Sequence, residues 1–233
     1  MIRRSLGTMI LILTGCVFLQ AGTIDGNVII QHKLTRRIVT PTVSLYERGA
    51  SVQLGSTPEV DPLAYERTHV VIYLEGHLAS KPVPGEMKQE NRQLFPDLVL
   101  VSVGSTVWFP NMDPIFHNVF SLSKAKSFDL GNYPQGHART VTFPKPGIVV
   151  VGCHLHSNMA AVIVVAPNEF ATRADRNGHF ELTGVPAGTY TIVAWHKAAG
   201  FFRKKIEVSE KYKTSVDFDI PIKADDPVQE ARQ

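Results

Sequence analysis

The chain has 233 residues, 44% of them hydrophobic, with 24 Lys and Arg against 21 Asp and Glu and a formal net charge of +3. Without Arg3 and Arg4 the balance is 22 to 21, and no basic run or aromatic stacking platform stands out, which excludes a nucleic-acid partner from the expectations. The length allows one large or two small domains, and no stretch keeps a 3.6-residue apolar period for more than about two turns, so the chain reads as all-β.

Residues 1–22 read as a secretory signal peptide. Met1-Ile2-Arg3-Arg4 is a short basic start, and the apolar stretch 9–19 behind it is too short to span a bilayer. Leu13-Thr14-Gly15-Cys16 resembles a bacterial lipobox, which would leave a lipidated Cys16 as the one membrane anchor. Gln20-Ala21-Gly22 offers a small-residue cleavage site instead, and the continuing apolar Val17-Phe18-Leu19 favours it. Either route places the mature protein in the periplasm or cell envelope.

Residues 23–85 form an N-terminal β segment, with strand patterns at 23–30, 43–46 and 69–74. Between the last two, residues 48–67 are polar and interrupted by Gly49, Gly55, Pro58 and Pro62, as in an exposed loop. Residues 77–85 read as a connector, and the scattered His32, His69 and His77 as surface or packing residues.

Residues 86–166 carry the chemistry. Residues 98–103 and 106–109 flank Gly104-Ser105 in a strand, tight turn, strand pattern. Asn111-Met112-Asp113-Pro114 leads into a strand at His117; Met112 is a possible rival ligand, although a Met near a loop is more often filler. Residues 121–136 read as a loop with a solvated His137 beyond it, and residues 139–143 return as a strand. Pro144-Lys145-Pro146-Gly147 then turns into the apolar strand Ile148-Val149-Val150-Val151.

That strand ends in Cys153-His154-Leu155-His156-Ser157-Asn158-Met159, a thiol, two imidazoles and a thioether within seven residues. A rigid strand aims the Cys153 sulfur, and two-residue spacers bring His156 and Met159 around the same point. The resuming strand at residues 161–165 pins the far end of the loop. One short loop cannot surround a metal, so His117 would complete the set from a neighbouring strand. His₂Cys with a weak axial Met is the donor set of a blue-copper electron-transfer site. Cys16 is removed or lipidated, so Cys153 has no disulfide partner in an oxidising compartment. His154, one residue beyond Cys153, should point the other way.

These residues resemble the cupredoxins. The Cys-x-x-His-x-x-Met loop is most similar to that of the amicyanins, and the His117-Asn118 pair resembles the first-ligand strand of plastocyanins, pseudoazurins and amicyanins. The resemblance covers residues 86–166, about a third of the chain. It implies a Greek-key β-sandwich holding one type 1 copper ion on His117, Cys153, His156 and Met159, with Asn118 tying the two ligand loops together. It further implies a redox protein partner docking near His156, with Pro114, Ile115 and Leu155 as an apolar rim. Multicopper oxidases place a His on each side of the Cys, whereas Gly152 precedes Cys153 here, and no open metal position or catalytic triad is visible. A non-enzymatic electron carrier is therefore expected. Copper storage or delivery, and an envelope-binding module with an incidental copper site, remain the alternatives.

Residues 167–222 resemble carboxypeptidase regulatory-like, transthyretin-like β-sandwich modules, a second and smaller sandwich. The motifs are Asp175-Arg176-Asn177-Gly178, with Asn177-Gly178 suited to a hairpin turn, and Pro186-Ala187-Gly188 before an alternating strand at 190–195. Two more strands are expected at 203–208 and 214–220, and residues 223–233 form a polar tail. The usual opening strands of such a module are missing after Pro167, while Gly26-Asn27-Val28 and its followers resemble them. Either residues 23–80 and 167–222 form one sandwich, with Val28's strand paired to 189–195, or residues 23–80 add strands to the cupredoxin-like part. His196, with no visible partner, reads as a packing or surface residue.

Overall fold

In a computed structural model, residues 21–34 and 61–220 are described. The expected signal peptide up to residue 20, the lipobox at Cys16, the strand at 43–46, the loop at 48–60 and the tail at 223–233 lie outside the described residues, whereas Ala21 and Gly22, expected at the end of the signal peptide, begin the first strand. The first part gives β1 (Ala21–Ile30), the short helix α1 (Ala64–Thr68) and β2 (Val70–Leu74). The middle gives β3 (Gly85–Glu86), β4 (Lys88–Glu90), β5 (Gln93–Phe95), β6 (Leu98–Ser102), β7 (Thr106–Pro110), β8 (His117–Ser123), β9 (Lys126–Tyr133), β10 (Ala138–Thr142), β11 (Gly147–Gly152) and β12 (Ala160–Ala166). The last part gives β13 (Ala171–Arg173), β14 (His179–Pro186), β15 (Gly188–His196), β16 (Gly200–Val208), β17 (Thr214–Ser215) and β18 (Phe218–Ile220). The described chain is all-β apart from α1.

The strands stack in four layers. The outermost sheet runs β14-β1-β17, with β18 also on β1, and it faces the sheet β13-β2-β15-β16. Ile24 and Val28 from β1, Val70 and Ile72 from β2, Phe180 and Leu182 from β14, and Ile192 and Ala194 from β15 fill the core between them. On the far side lie the sheet β6-β12-β11-β8-β9 and the sheet β10-β7-β3. Their shared core holds Val99, Val107, Phe109, Val119, Val149, Ile163, Cys153 and Met159.

The two inner sheets pack back to back. In β2, Val70, Ile72 and Leu74 face one core while Val71 and Tyr73 face the other way. In β12, Ala161, Ile163 and Val165 face the inner core while Val162 and Val164 meet Val71, Leu98 and Trp195. A strand buried on both faces has no solvent side, which is why residues 160–166 read as an unbroken apolar run rather than an alternating one.

The expected pairing of Val28's strand with residues 189–195 is absent. β1 pairs with β14 and β18, while β15 takes β2 as its neighbour, in register Ala194 with Ile72. Gly26 makes the β1 packing possible, since a Cβ there would stand 1.8 Å from the Val216 carbonyl oxygen.

Two expected hairpins are crossings between sheets. Gly104, at φ +88°, turns the chain out of β6, which pairs with β12, into β7, which pairs with β10 and β3. The turn is closed by buried Ser105, whose Oγ accepts the Val83 N–H at 3.0 Å. Likewise Asn177-Gly178 leads from β13, paired with β2, to β14, paired with β1. The expected loop at 121–136 is instead the β8–β9 hairpin, whose edge strand alternates half-buried Phe128 and Leu130 with exposed neighbours.

The expected exposed loop at 48–67 also ends differently. Residues 64–67 are helical, and Glu66 on α1 is fully buried. Its partner is His196, equally buried at the end of β15, with Nε2 3.2 Å from Glu66 Oε2. The Ala198 N–H donates to His196 Nδ1 at 3.2 Å, so the ring proton sits on Nε2 facing the carboxylate. Burial pushes the His196 pKa down, against the opposing pull of the Glu66 carboxylate, and favours the neutral ring. From the same helix turn, Tyr65 and His69 reach Asp97 ahead of β6, at 2.6 Å and 2.9 Å.

Candidate metal centre

β8 and β11 are the neighbouring strands that build the site. Their register pairs Gly152 with Phe120, so Cys153 leaves β11 beside the start of β8, where His117 sits. His156 follows on the short loop, closed by the Met159 N–H donating to the His156 carbonyl at 3.1 Å. One donor atom each from His117, Cys153 and His156 lies within 4.8 Å of the others. His117 is fully buried, Cys153 is nearly so, and His156 is half-buried. Met159 is 1% exposed and belongs to the same core cluster as Cys153.

The distances suit a shared ion. The two Nδ1 atoms are 3.1 Å apart, and Cys153 Sγ is 3.8 Å from His156 Nδ1. Nitrogen and sulfur donors at about 2.0–2.3 Å from one first-row metal lie about 3–4 Å from each other. The His117 tautomer fits as well. Its Nε2–H donates to Asp113 Oδ2 at 2.7 Å, which leaves the Nδ1 lone pair for a metal. Burial above all, and then the Arg92 charge, lower the His156 pKa and favour the neutral ring a metal requires.

Asn118 joins the two ligand loops. Its Oδ1 accepts the His154 N–H at 3.2 Å, and its Nδ2 donates to Asp129 Oδ1 at 2.6 Å. His154 points to the surface, stacked on Phe120 with centroids 3.7 Å apart and facing Asp129 at 3.5 Å. Phe116, Met112 and Leu155 are about half-exposed on the segments carrying His117 and His156.

Asp113 carries no signal in the sequence beyond its place four residues before His117. Burial opposes its ionisation, but donations from the Arg92 N–H, His117 and the Asn91 N–H outweigh that and hold its carboxyl below the usual range. Asn111 shapes this loop by accepting the Asp113 N–H at 3.0 Å and donating to the Ile115 and Tyr133 carbonyls.

Comparisons with known proteins address parts of the chain. Residues 156–216 match the family model described as polysaccharide lyase family 4, domain II. No curated protein sequence matches the chain. Among solved structures, a copper-containing nitrite reductase from Thermus scotoductus is similar at 25% identity and TM-score 0.34, over 39% of this chain and 24% of that one. The chain therefore spans about a quarter of that enzyme's length. A purple cupredoxin from Nitrosopumilus maritimus is similar at 19% identity and TM-score 0.32, over 35% of this chain and 99% of that one. Amicyanin from Paracoccus versutus is similar at 21% identity and TM-score 0.33, over 40% of this chain and 96% of that one.

Proposed function

We propose that this protein binds one type 1 copper ion through His117, Cys153, His156 and Met159, and carries single electrons between redox partners in the periplasm or cell envelope. The observation that carries the reading is the convergence of a thiol and two imidazoles within 4.8 Å, in a mostly buried pocket. Thiolate, imidazole and thioether together are a soft donor set that selects copper, which when bound supplies the Cu(I)/Cu(II) couple.

The chain's own part is to hold the donors still. Asp113 fixes the His117 ring, Asn118 ties the Cys153 loop to β8, and Met159 is locked in the core. Ligands that cannot move offer nearly one geometry to both oxidation states. His156, half-buried where the other donors are buried, is the proposed electron exit, with Pro114, Ile115, Phe116 and Leu155 as a small apolar rim for a transient partner. No substrate position is part of this reading, and the protein is proposed to be a carrier rather than an enzyme. The outer sandwich, drawn from residues before and after the copper region, is proposed to be a transthyretin-like module in which the copper sandwich is inserted.

The test is the visible spectrum of the purified protein titrated with Cu(II). An intense thiolate-to-copper band saturating at one equivalent, and lost in Cys153→Ser, is expected. Absence of that band in the unaltered protein refutes the reading. A band that forms but fails to cycle reversibly, with copper lost to a mild chelator, would favour storage or delivery.

A further inference from the structure

Asp113 lies outside the donor set, yet both of its oxygens are committed. Oδ1 accepts the Asn91 N–H at 2.7 Å, while Oδ2 accepts the Arg92 N–H at 2.8 Å and the His117 Nε2–H at 2.7 Å. Asn91 and Arg92 form the turn between β4 and β5, with φ of 54° and 56°. Among the described residues they alone, glycine aside, have positive φ. Asn tolerates that region, but Arg is an uncommon occupant, and such backbone persists where its surroundings over-determine it. Here the surroundings are one buried carboxylate that needs two N–H donors pointing the same way.

We propose that Asp113, clamped by the Asn91-Arg92 turn, is a positioning residue for His117 that sets its donor strength and so lowers the reduction potential of the site. The proposal rests on the copper reading above and goes beyond it by assigning part of the potential to a hairpin outside the ligand loops. A carboxylate on the far nitrogen of a ligating His fixes the tautomer and raises the basicity of the near one. It also leaves a negative charge behind the ring, where little solvent screens it, which favours the more positive metal state. The turn preserves that charge. Two peptide N–H groups satisfy the carboxylate without cancelling it, and among the described residues its one ion-pair contact is His117 itself. A backbone carbonyl in the same place would orient the ring but add no charge.

The test compares the unaltered protein with Asp113→Asn and Asp113→Glu by Cu(II) and Cu(I) affinity, reduction potential and visible spectrum. It also reads the imidazole tautomer of the metal-free unaltered protein by ¹⁵N NMR. We expect a neutral His117 with its proton on Nε2. In Asp113→Asn the visible band persists, Cu(II) affinity falls about tenfold or more, and Cu(I) affinity falls less. A tenfold difference between the two raises the potential by about 59 mV for one electron. Asp113→Glu, which keeps the charge, should recover most of the unaltered potential. An unmoved potential with the band retained overturns the proposal and reduces Asp113 to a cap on the turn. A His117 proton on Nδ1 overturns it too, and that measurement together with Asp113→Glu decides the matter if Asp113→Asn does not fold. No band in the unaltered protein overturns the copper reading and this proposal with it.

Discussion

Trp195→Ala should loosen the joint between the two inner sheets while sparing both outer cores. Trp195 is 5% exposed and sits with Val71, Leu98, Val162 and Val164 in the layer between β2-β15 and β6-β12, its ring 6.4 Å from that of Phe201. A buried aromatic side chain removes roughly 150–250 Å² from water, worth about 4–6 kcal/mol at 25 cal/mol per Å². Core aromatic truncations cost about 3–5 kcal/mol. Trp195 and Phe201 border an open cleft with Lys124, Lys145 and Ile148, so water can enter the space left behind. That argues for the low end, about 3 kcal/mol, which a domain with about 5–15 kcal/mol of stability survives. The assay is urea unfolding followed in two ways. The chain has two Trp, so the variant keeps Trp108 alone, which reports the sandwich holding the candidate metal centre, while far-UV circular dichroism reports every strand. With a slope of about 3 kcal/mol per M the midpoint falls by about 1 M. The two probes should also separate, because the lost contacts lie between the cores rather than within them. A cost under about 1 kcal/mol with coincident transitions would refute the claim that this layer joins the two halves.

Two further outcomes follow from named contacts. The His69 hydrogen bond and then the Tyr65 hydroxyl hold the Asp97 carboxyl well below its ordinary range, against the opposing effect of burial. A depressed folded pKa gives stability that is present above the unfolded carboxylate pKa and lost as the pH falls through the folded one. Thermal stability should therefore fall below about pH 4, and fall less steeply in Asp97→Asn; parallel acid profiles would remove Asp97 from the account. Asn118→Ala deletes the acceptor for the His154 N–H and the donor to Asp129 while leaving all four proposed ligands. Copper affinity should drop about 10–100-fold with the visible band kept, and an unchanged affinity in competition with a chelator would show that the loops need no such tie.

Strand identity was legible wherever a run was apolar or alternating, as at residues 70–74, 98–102 and 160–166. Strand partnership was not. A tight turn with positive φ, at Gly104 or Gly178, reads identically whether the next strand pairs with the last or crosses to the facing sheet. What decides is which sheet still has an open edge, and that depends on strands far along the chain, such as β12 beside β6. Edge strand β9 was misread for a related reason. Its half-buried Phe128 and Leu130 alternate with Ser127, Asp129 and Gly131, and polar residues at every second position resemble a loop until β8 is known to lie alongside.

The proposed donor set stands out in the sequence because its spacing is local: Cys153, His156 and Met159 share one loop, His117 is announced by an apolar strand, and the structure brings His117, Cys153 and His156 together. Its supports are distant, and polar residues say nothing about distance. Asp113 and Asn91 are 22 positions apart, and an Asp-Pro pair in a loop reads as turn chemistry. Arg92 reads as a solvated charge, although its contribution is a backbone N–H that every residue but proline has. The Glu66–His196 pair was hidden the same way, since a Glu in a polar stretch and a His at a strand end each look exposed until the fold brings them together and buries both. What a sequence shows of a metal centre is thus the part that must be chemically unusual, the soft donors. What holds those donors in place is ordinary residues made unusual by burial, so the Asp113 variants test a layer of the site that no motif could have named.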